Sequence, residues 1–175
     1  MKGKVKYKRG DILRNSEATV VCVPVNCEGK LIGSRFINSL QKAYPATQAK
    51  YVRFYKGRTA ALSPILGCCH LSCVDPERKL VVAFLFIQKS VQRNELYFDA
   101  LRRSIQVLAR NTTLRGKAVP IAFPHNLGLD IDSNTWRQVE RIIRYEFSDY
   151  PGEIQLWAPS ASRNARAADA RALKA

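Results

Sequence analysis

Long apolar runs are missing from this chain of 175 residues. The longest, Leu80–Ile87, is far too short to cross a bilayer, which excludes a membrane-spanning helix. No secretory signal opens the sequence, so an intracellular protein, cytoplasmic or nuclear and without a membrane partner, is expected. Acidic residues are scarce too: 14 Asp and Glu against 29 Lys and Arg leave a net charge of +15. That imbalance attracts polyanions non-specifically. Nor can the cysteines pair completely, because five is an odd number, and a full disulfide framework is excluded. The cluster Cys68-Cys69-His70-Leu71-Ser72-Cys73 invites a zinc reading. A strand, however, would send Cys69 and Cys73 to one face and Cys68 and His70 to the other, so Cys22 and Cys27 would have to complete the site. Buried free thiols in strands account for the cluster better, and neither metal nor cofactor is expected.

What the chain does contain is enough apolar material, 46%, for one globular domain with a sizeable core. Its cations are unevenly placed. Lys2, Lys4, Lys6, Lys8, Arg9 and Arg14 crowd the beginning, while Arg163, Arg166, Arg171 and Lys174 mark the end. The expected organisation is a domain over residues 1–158 and a basic Ala/Arg-rich tail, weakly helical or disordered, over 159–175. The basic ends are either a solvated edge strand and tail or a contact for RNA or DNA.

Strand and helix signals alternate along the domain. Lys4–Tyr7 reads as a basic strand, and Ala18–Val25 as a strand buried on both faces. Ser34 is placed as the N-cap of a helix over Arg35–Tyr44, with Phe36, Ile37, Leu40, Ala43 and Tyr44 as its apolar stripe. Pro45 ends that helix or starts the next, which runs to about Tyr55. Ala60–Leu66, Cys69–Val74 and Leu80–Ile87 read as strands, with turns at Gly67 and at Asp75-Pro76-Glu77-Arg78. Asn94 caps a helix that aligns Tyr97, Leu101, Ile105 and Leu108; Ala118–Phe123 is a strand, Thr135–Phe147 a helix, and Ile154–Trp157 the last strand. Interleaving of this kind predicts an α/β fold, a three-layer α/β/α sandwich with a mixed central sheet.

In such sheets ligands sit beyond the carboxyl ends of the strands. Two small-residue loops fall there. The first is Asn26-Cys27-Glu28-Gly29-Lys30-Leu31-Ile32-Gly33-Ser34; the second runs from Pro124-His125-Asn126-Leu127-Gly128 to Trp136. Each feeds a helix N-terminus, where unpaired N–H groups and the dipole favour phosphate, so two clamps on one diphosphate-like ligand are expected. Gly10-Asp11-Ile12-Leu13 and the segment after Ile87 can join the same rim.

Taken together, Gly10-Asp11-Ile12, Asn26-x-x-Gly29-x-x-x-Gly33 with its helix to Ala43-Tyr44-Pro45, and Ile121-Ala122-Phe123-Pro124 leading to Trp136 resemble a macro domain. The nearest branch contains the terminal ADP-ribose protein glycohydrolases and the DNA-ADP-ribosyl glycohydrolase antitoxins, and the resemblance covers roughly residues 4–158. It implies recognition of ADP-ribose or an ADP-ribosylated macromolecule, with hydrolysis of an ADP-ribosyl adduct or of ADP-ribose 1″-phosphate. By the same resemblance, Asp11 would accept the adenine amino group, and Ile12 would supply the next N–H and an apolar contact. Asn26, Gly29 and Gly33 would lie beside the distal ribose and diphosphate, with Gly128 in the second loop. Lys89 would be a nucleophile at the anomeric carbon and Asp132 the acid of the catalytic pair.

The chain also departs from that pattern. Where the family has Met-Gly-x-Gly it reads Ile32-Gly33-Ser34-Arg35, and where the family has Gly-Cys-Gly it reads Gly128-Leu129-Asp130. Leu129 blocks close backbone approach, and Asp130 repels phosphate unless a cation intervenes. Arg35 either neutralises Asp130 or grips phosphate itself as a fork. Simpler roles also exist: Asp11 can close a turn, Lys89 can be solvated, and Asp132 can cap the helix of Trp136. His125 is a candidate acid–base or a plain polar contact. Two functions remain: a hydrolase of ADP-ribosyl adducts, or a non-catalytic module bound to RNA, DNA or a ribonucleoprotein through its basic surface.

Overall fold

The computed structural model describes residues 4–15, 17–90, 95–113 and 118–159. The expectations for Lys2, for Asn94 as a helix cap and for the basic tail from residue 160 onward lie outside the described residues. Six strands are formed: β1 (Lys4–Arg9), β2 (Val20–Asn26), β3 (Cys69–Asp75), β4 (Leu80–Gln88), β5 (Ile121–Pro124) and β6 (Glu153–Ala158). Between them lie helices α1 (Ile12–Asn15), α2 (Arg35–Ala43), α3 (Ala46–Ala60), α4 (Phe98–Thr113) and α5 (Ser133–Glu146). The sheet order is β1–β6–β5–β2–β4–β3, and every pairing is parallel except β3 with β4.

Alternation along the interior strands sorts the core into two layers. From β2 and β4, Val20, Cys22, Ala83, Leu85 and Ile87 point into one layer, with Leu101, Ile105, Leu108, Trp136, Val139 and Ile143 packed above them from α4 and α5. Val21, Val23, Val25, Val82, Phe84 and Phe86 point into the other, beneath Ile37 and Leu40 of α2 and Tyr51 of α3. Both faces are therefore covered, which is why β2 and β4 read as unbroken apolar runs. Helix packing on each face makes the expected three-layer α/β/α sandwich around a mixed sheet.

Differences from the sequence reading are local. Ala60–Leu66 is not a strand: α3 runs on through Ala60 and closes with Ala61 N–H to Gly57 O and Leu62 N–H to Thr59 O. Its apolar character is only partly used: Leu62 is 93% exposed, while Ile65 packs against the core. At β5 the strand begins only at Ile121, after Pro120, whose carbonyl accepts the N–H groups of Thr19 and Val20 instead. The thiols are less uniformly buried than expected. Cys22 is buried in β2 and Cys73 exposed on β3, while Cys27 and Cys68 lie outside the strands, half-buried. Burial pushes the Cys22 thiol well up, Cys69 to about 12 and Cys27 to about 11, so these three are protonated at neutral pH. Among the described residues no three His, Cys, Asp or Glu side chains converge on a metal position, and no helix is long and apolar enough to cross a membrane.

Candidate functional site

Parallel strands bring the loops after β1, β2, β4, β5 and β6 to one rim. At β2 the register shifts between Val25 and Asn26 as the chain leaves the sheet. Asn26 is 3% exposed, and its amide organises the loop that follows. It accepts from the Glu28 N–H (2.9 Å) and the Tyr51 hydroxyl (3.1 Å) and donates to the Lys30 carbonyl (2.7 Å). Tyr51 also donates to the Asn26 carbonyl at 2.9 Å, from a ring stacked on Phe86. Gly29 has φ +73°, and a Cβ there would stand 2.7 Å from the Tyr55 ring. Asn26 and Gly29 thus build the first loop, and neither lines the cleft described below.

The rest of that loop turns over the rim. Gln41 donates to the carbonyl of buried Leu31 at 2.7 Å, which fixes the turn into Ile32-Gly33. Ser34 is the N-cap of α2, its hydroxyl accepting from the Ile37 N–H at 3.3 Å, as its spacing indicates. Arg35 follows as the first helical residue, exposed, and the described residues give its guanidinium no carboxylate partner. The second loop is a tight 3-10 turn over His125–Gly128 in which Asn126 (φ 54°), Leu127 (φ 54°) and Gly128 (φ 68°) are all left-handed. Leu127 adopts this costly conformation because its side chain is fully buried in the core. Gly128 lies against Phe36 of α2, where a Cβ would meet Phe36 Cβ at 2.8 Å.

Two voids open at this seam. One, about 590 Å³, is lined by Ile32, Gly33, Ser34, Arg35, Ile37, Gln88, Gly128, Leu129 and Asp130. The other, about 490 Å³, is lined by Gly10, Asp11, Ile12, Leu13, Arg35, Phe36, Ser39, Pro124, His125, Gly128, Trp157 and Pro159. Arg35 and Gly128 belong to both, so the voids form one cleft with Arg35 at its waist. Of the residues singled out from the sequence, Asp11, Ile12, Gly33, Ser34, Arg35, Gly128, Leu129 and Asp130 come together here. Asp11 is held by its own turn: Oδ1 accepts from the Leu13 N–H at 2.9 Å, and Oδ2 lies 3.6 Å from Arg14 Nε.

Lys89 and Asp132 do not line these two voids, but Asp132 lines a smaller one, about 260 Å³, that shares Asp130 with the first. The Lys89 ammonium lies 4.9 Å over the Tyr97 ring. Asp132 is the N-cap of α5: Oδ1 accepts from the N–H groups of Asn134 (2.8 Å) and Thr135 (2.9 Å), and Oδ2 from the Thr135 hydroxyl (3.0 Å). Hydrogen bonds from the Thr135 backbone and then its side chain hold the carboxyl below its usual value. Sequence reasoning brought the segment after Ile87 to the rim without singling out Gln88, and it missed Phe36 and Trp157 as cleft walls. Gln88 had a signal, a polar residue closing an apolar strand at the ligand edge; Phe36 was assigned to the core stripe but is only half-buried.

No family model and no curated protein matches the sequence. Solved structures do match in fold. The macrodomain of Thermus aquaticus DarG aligns with a TM-score of 0.71 and 17% identity, over 91% of this chain and 99% of that one. The macrodomain of Mycobacterium tuberculosis DarG aligns with a TM-score of 0.71 and 19% identity, over the same 91% and 99%. Thermosipho africanus DarTG in complex with ADP-ribose aligns with a TM-score of 0.72 and 14% identity, over 91% of this chain and 43% of that one.

Proposed function

We propose that this chain, whose fold is that of a macrodomain, recognises ADP-ribose or a related adenine nucleotide in the cleft at its strand ends. The observation that carries this reading is the pair of voids meeting at Arg35 and Gly128. In this reading Asp11 and Ile12 take the adenine edge, in the void that Phe36 and Trp157 also line. Arg35, the first residue of α2, stands at the waist, where the positive end of the helix favours a diphosphate. The ADP-ribose complex of a protein with the same fold supports the choice of ligand.

The test is calorimetric titration with ADP-ribose of the intact chain and of Asp11→Ala. We expect saturable binding in the intact chain and, because a charge-assisted hydrogen bond is removed, a loss of roughly tenfold or more in the variant. Absence of binding in the intact chain would sink the proposal.

Hydrolysis through Lys89 and Asp132 is not part of this reading. A group engaged with three donors at a helix end is poorly placed to relay protons inside the cleft. Asp132→Ala is therefore expected to leave ADP-ribose affinity unchanged and to lower the melting temperature. The sign of its pH dependence follows from the depressed pKa. The cap's contribution is fully present above the ordinary carboxylate range and is lost as pH falls through the folded-state value, so the two melting curves should converge in acid. An ADP-ribosyl-hydrolase activity abolished in this variant with the fold intact would restore the catalytic assignment.

A further inference from the structure

A third void adjoins the cleft without belonging to it. It is a slot of about 480 Å³ between α5 and the ends of β1 and β6, lined by Tyr7, Lys8, Arg9, His125, Trp136, Leu156 and Ala158. His125 is the shared wall, because it also lines the adenine end of the cleft. A void of this size takes a small organic ligand. Its walls are aromatic. The His125 and Trp136 rings lie 5.0 Å apart, and Tyr7 of β1 lines the same slot. Tyr7 is 64% exposed yet not loose: its hydroxyl donates to Glu140 and accepts from Arg144 at 2.6 Å, and the Arg144 guanidinium sits 5.6 Å over its ring. A ring fixed on the surface by two residues of α5 is ready to stack with a partner at little entropic cost.

The charge around the slot is cationic. Arg9 is exposed at its mouth with no carboxylate partner among the described residues. Lys8 lies 5.6 Å over the Trp157 ring and 3.7 Å from Glu153. The carboxylates close by, Glu140 and Glu153, are already held by Arg144 and by Lys6 and Lys8. Aromatic walls with an uncompensated arginine at the entrance suit a base with its phosphate. They suit an acidic peptide less well, since its carboxylates would use the arginine and leave the aromatic surface of the slot uncovered.

We infer that this slot is a second nucleotide subsite, which takes the base and phosphate joined to the adenosine in the neighbouring void, so that the ligand class extends to single-stranded nucleic acid. The inference rests on the cleft reading above for its first nucleotide. It assigns Tyr7, His125 and Trp136 to the second base and Arg9 to the intervening phosphate.

The experiment compares calorimetric titrations with AMP, adenylyl-adenosine and ADP-ribose on the intact chain, Tyr7→Ala and Arg9→Ala. Both substituted residues are exposed, and neither lines the cleft. The dinucleotide is expected to bind roughly tenfold more tightly than AMP, as one added stacking contact provides. Each variant should remove that gain and leave ADP-ribose affinity unchanged, and Arg9→Ala should also reduce the salt slope of dinucleotide binding by about one. A dinucleotide that binds no better than AMP overturns the subsite. So does a gain that survives in both variants, or hexaglutamate competing as well as the dinucleotide. Loss of ADP-ribose and AMP binding in every protein, with dinucleotide binding still dependent on Arg9, would overturn the cleft reading while leaving the slot as a base-and-phosphate site.

Discussion

Arg35→Ala is expected to weaken ADP-ribose binding by roughly 10- to 150-fold, the worth of a hydrogen-bonded charge contact of about 1.5–3 kcal/mol. The size of the effect follows from geometry. Among the described residues, Arg35 is the one cation common to both voids. It stands at the first position of α2, where the helix N-terminus already favours anions. A diphosphate crossing from the adenine end to the distal end must pass it. The loops themselves offer less than glycine-rich ones would, because Leu129 occupies a position where close backbone approach needs no side chain, and Asp130 adds a carboxylate on the same wall. An arginine fork can replace several missing backbone donors. Arg35→Lys should therefore recover only part of the affinity, since an ammonium cannot bridge two phosphate oxygens in one plane. Arg35→Glu should abolish detectable binding. Calorimetry at moderate salt, with circular dichroism to verify folding, reads all three. Wild-type affinity in Arg35→Ala would show that the phosphates are held elsewhere and would dismantle the paired-void site.

What the sequence disclosed and what it hid divide along physical lines. β2 and β4 were legible because each is buried on both faces, which leaves an apolar run with no alternation to misread. α2 was legible because a capping serine precedes a clean helical stripe, two independent signals agreeing. Ala60–Leu66 misled for the opposite reason: a small apolar run resembles a short strand, but Ala60 ends α3 and the rest is turn and loop outside the sheet. The site showed the same split. Asp11, Arg35 and Gly128 meet because parallel topology brings every loop of that type to one rim, and topology follows from the order of elements. The role of Asn26 was hidden because its partner Tyr51 lies 25 residues away on α3, beyond any local spacing rule. Asp132 was ambiguous in sequence because a helix-capping aspartate and a catalytic one at a loop end look alike; its three hydrogen bonds establish the cap.

Gly128→Ala is expected to be the most damaging single-methyl change in the rim, with a stability loss of about 2–5 kcal/mol. Two costs combine. At φ +68° an alanine enters the left-handed region, at about 1–2 kcal/mol. Its Cβ would also meet Phe36 Cβ at 2.8 Å and two ring carbons at 3.0 Å, and overpacking of this kind costs about 1–3 kcal/mol. The nearest clashing atom is Cβ, not the end of a flexible chain, so relief requires the N-terminal turn of α2 to move outward. That movement would carry Arg35 with it, and so nucleotide binding should fall together with stability. Gly57→Ala is the matched control. It lies within α3 at an ordinary helical φ, and a Cβ there meets nothing within 4 Å. It should therefore stabilise the protein by about 0.5–1 kcal/mol without touching the cleft. Thermal melts and ADP-ribose titrations of the two variants side by side separate the outcomes. If Gly128→Ala melts like the intact chain and binds like it, the seam between the second loop and α2 is not rigid, and the contact that joins the two voids does not govern the site.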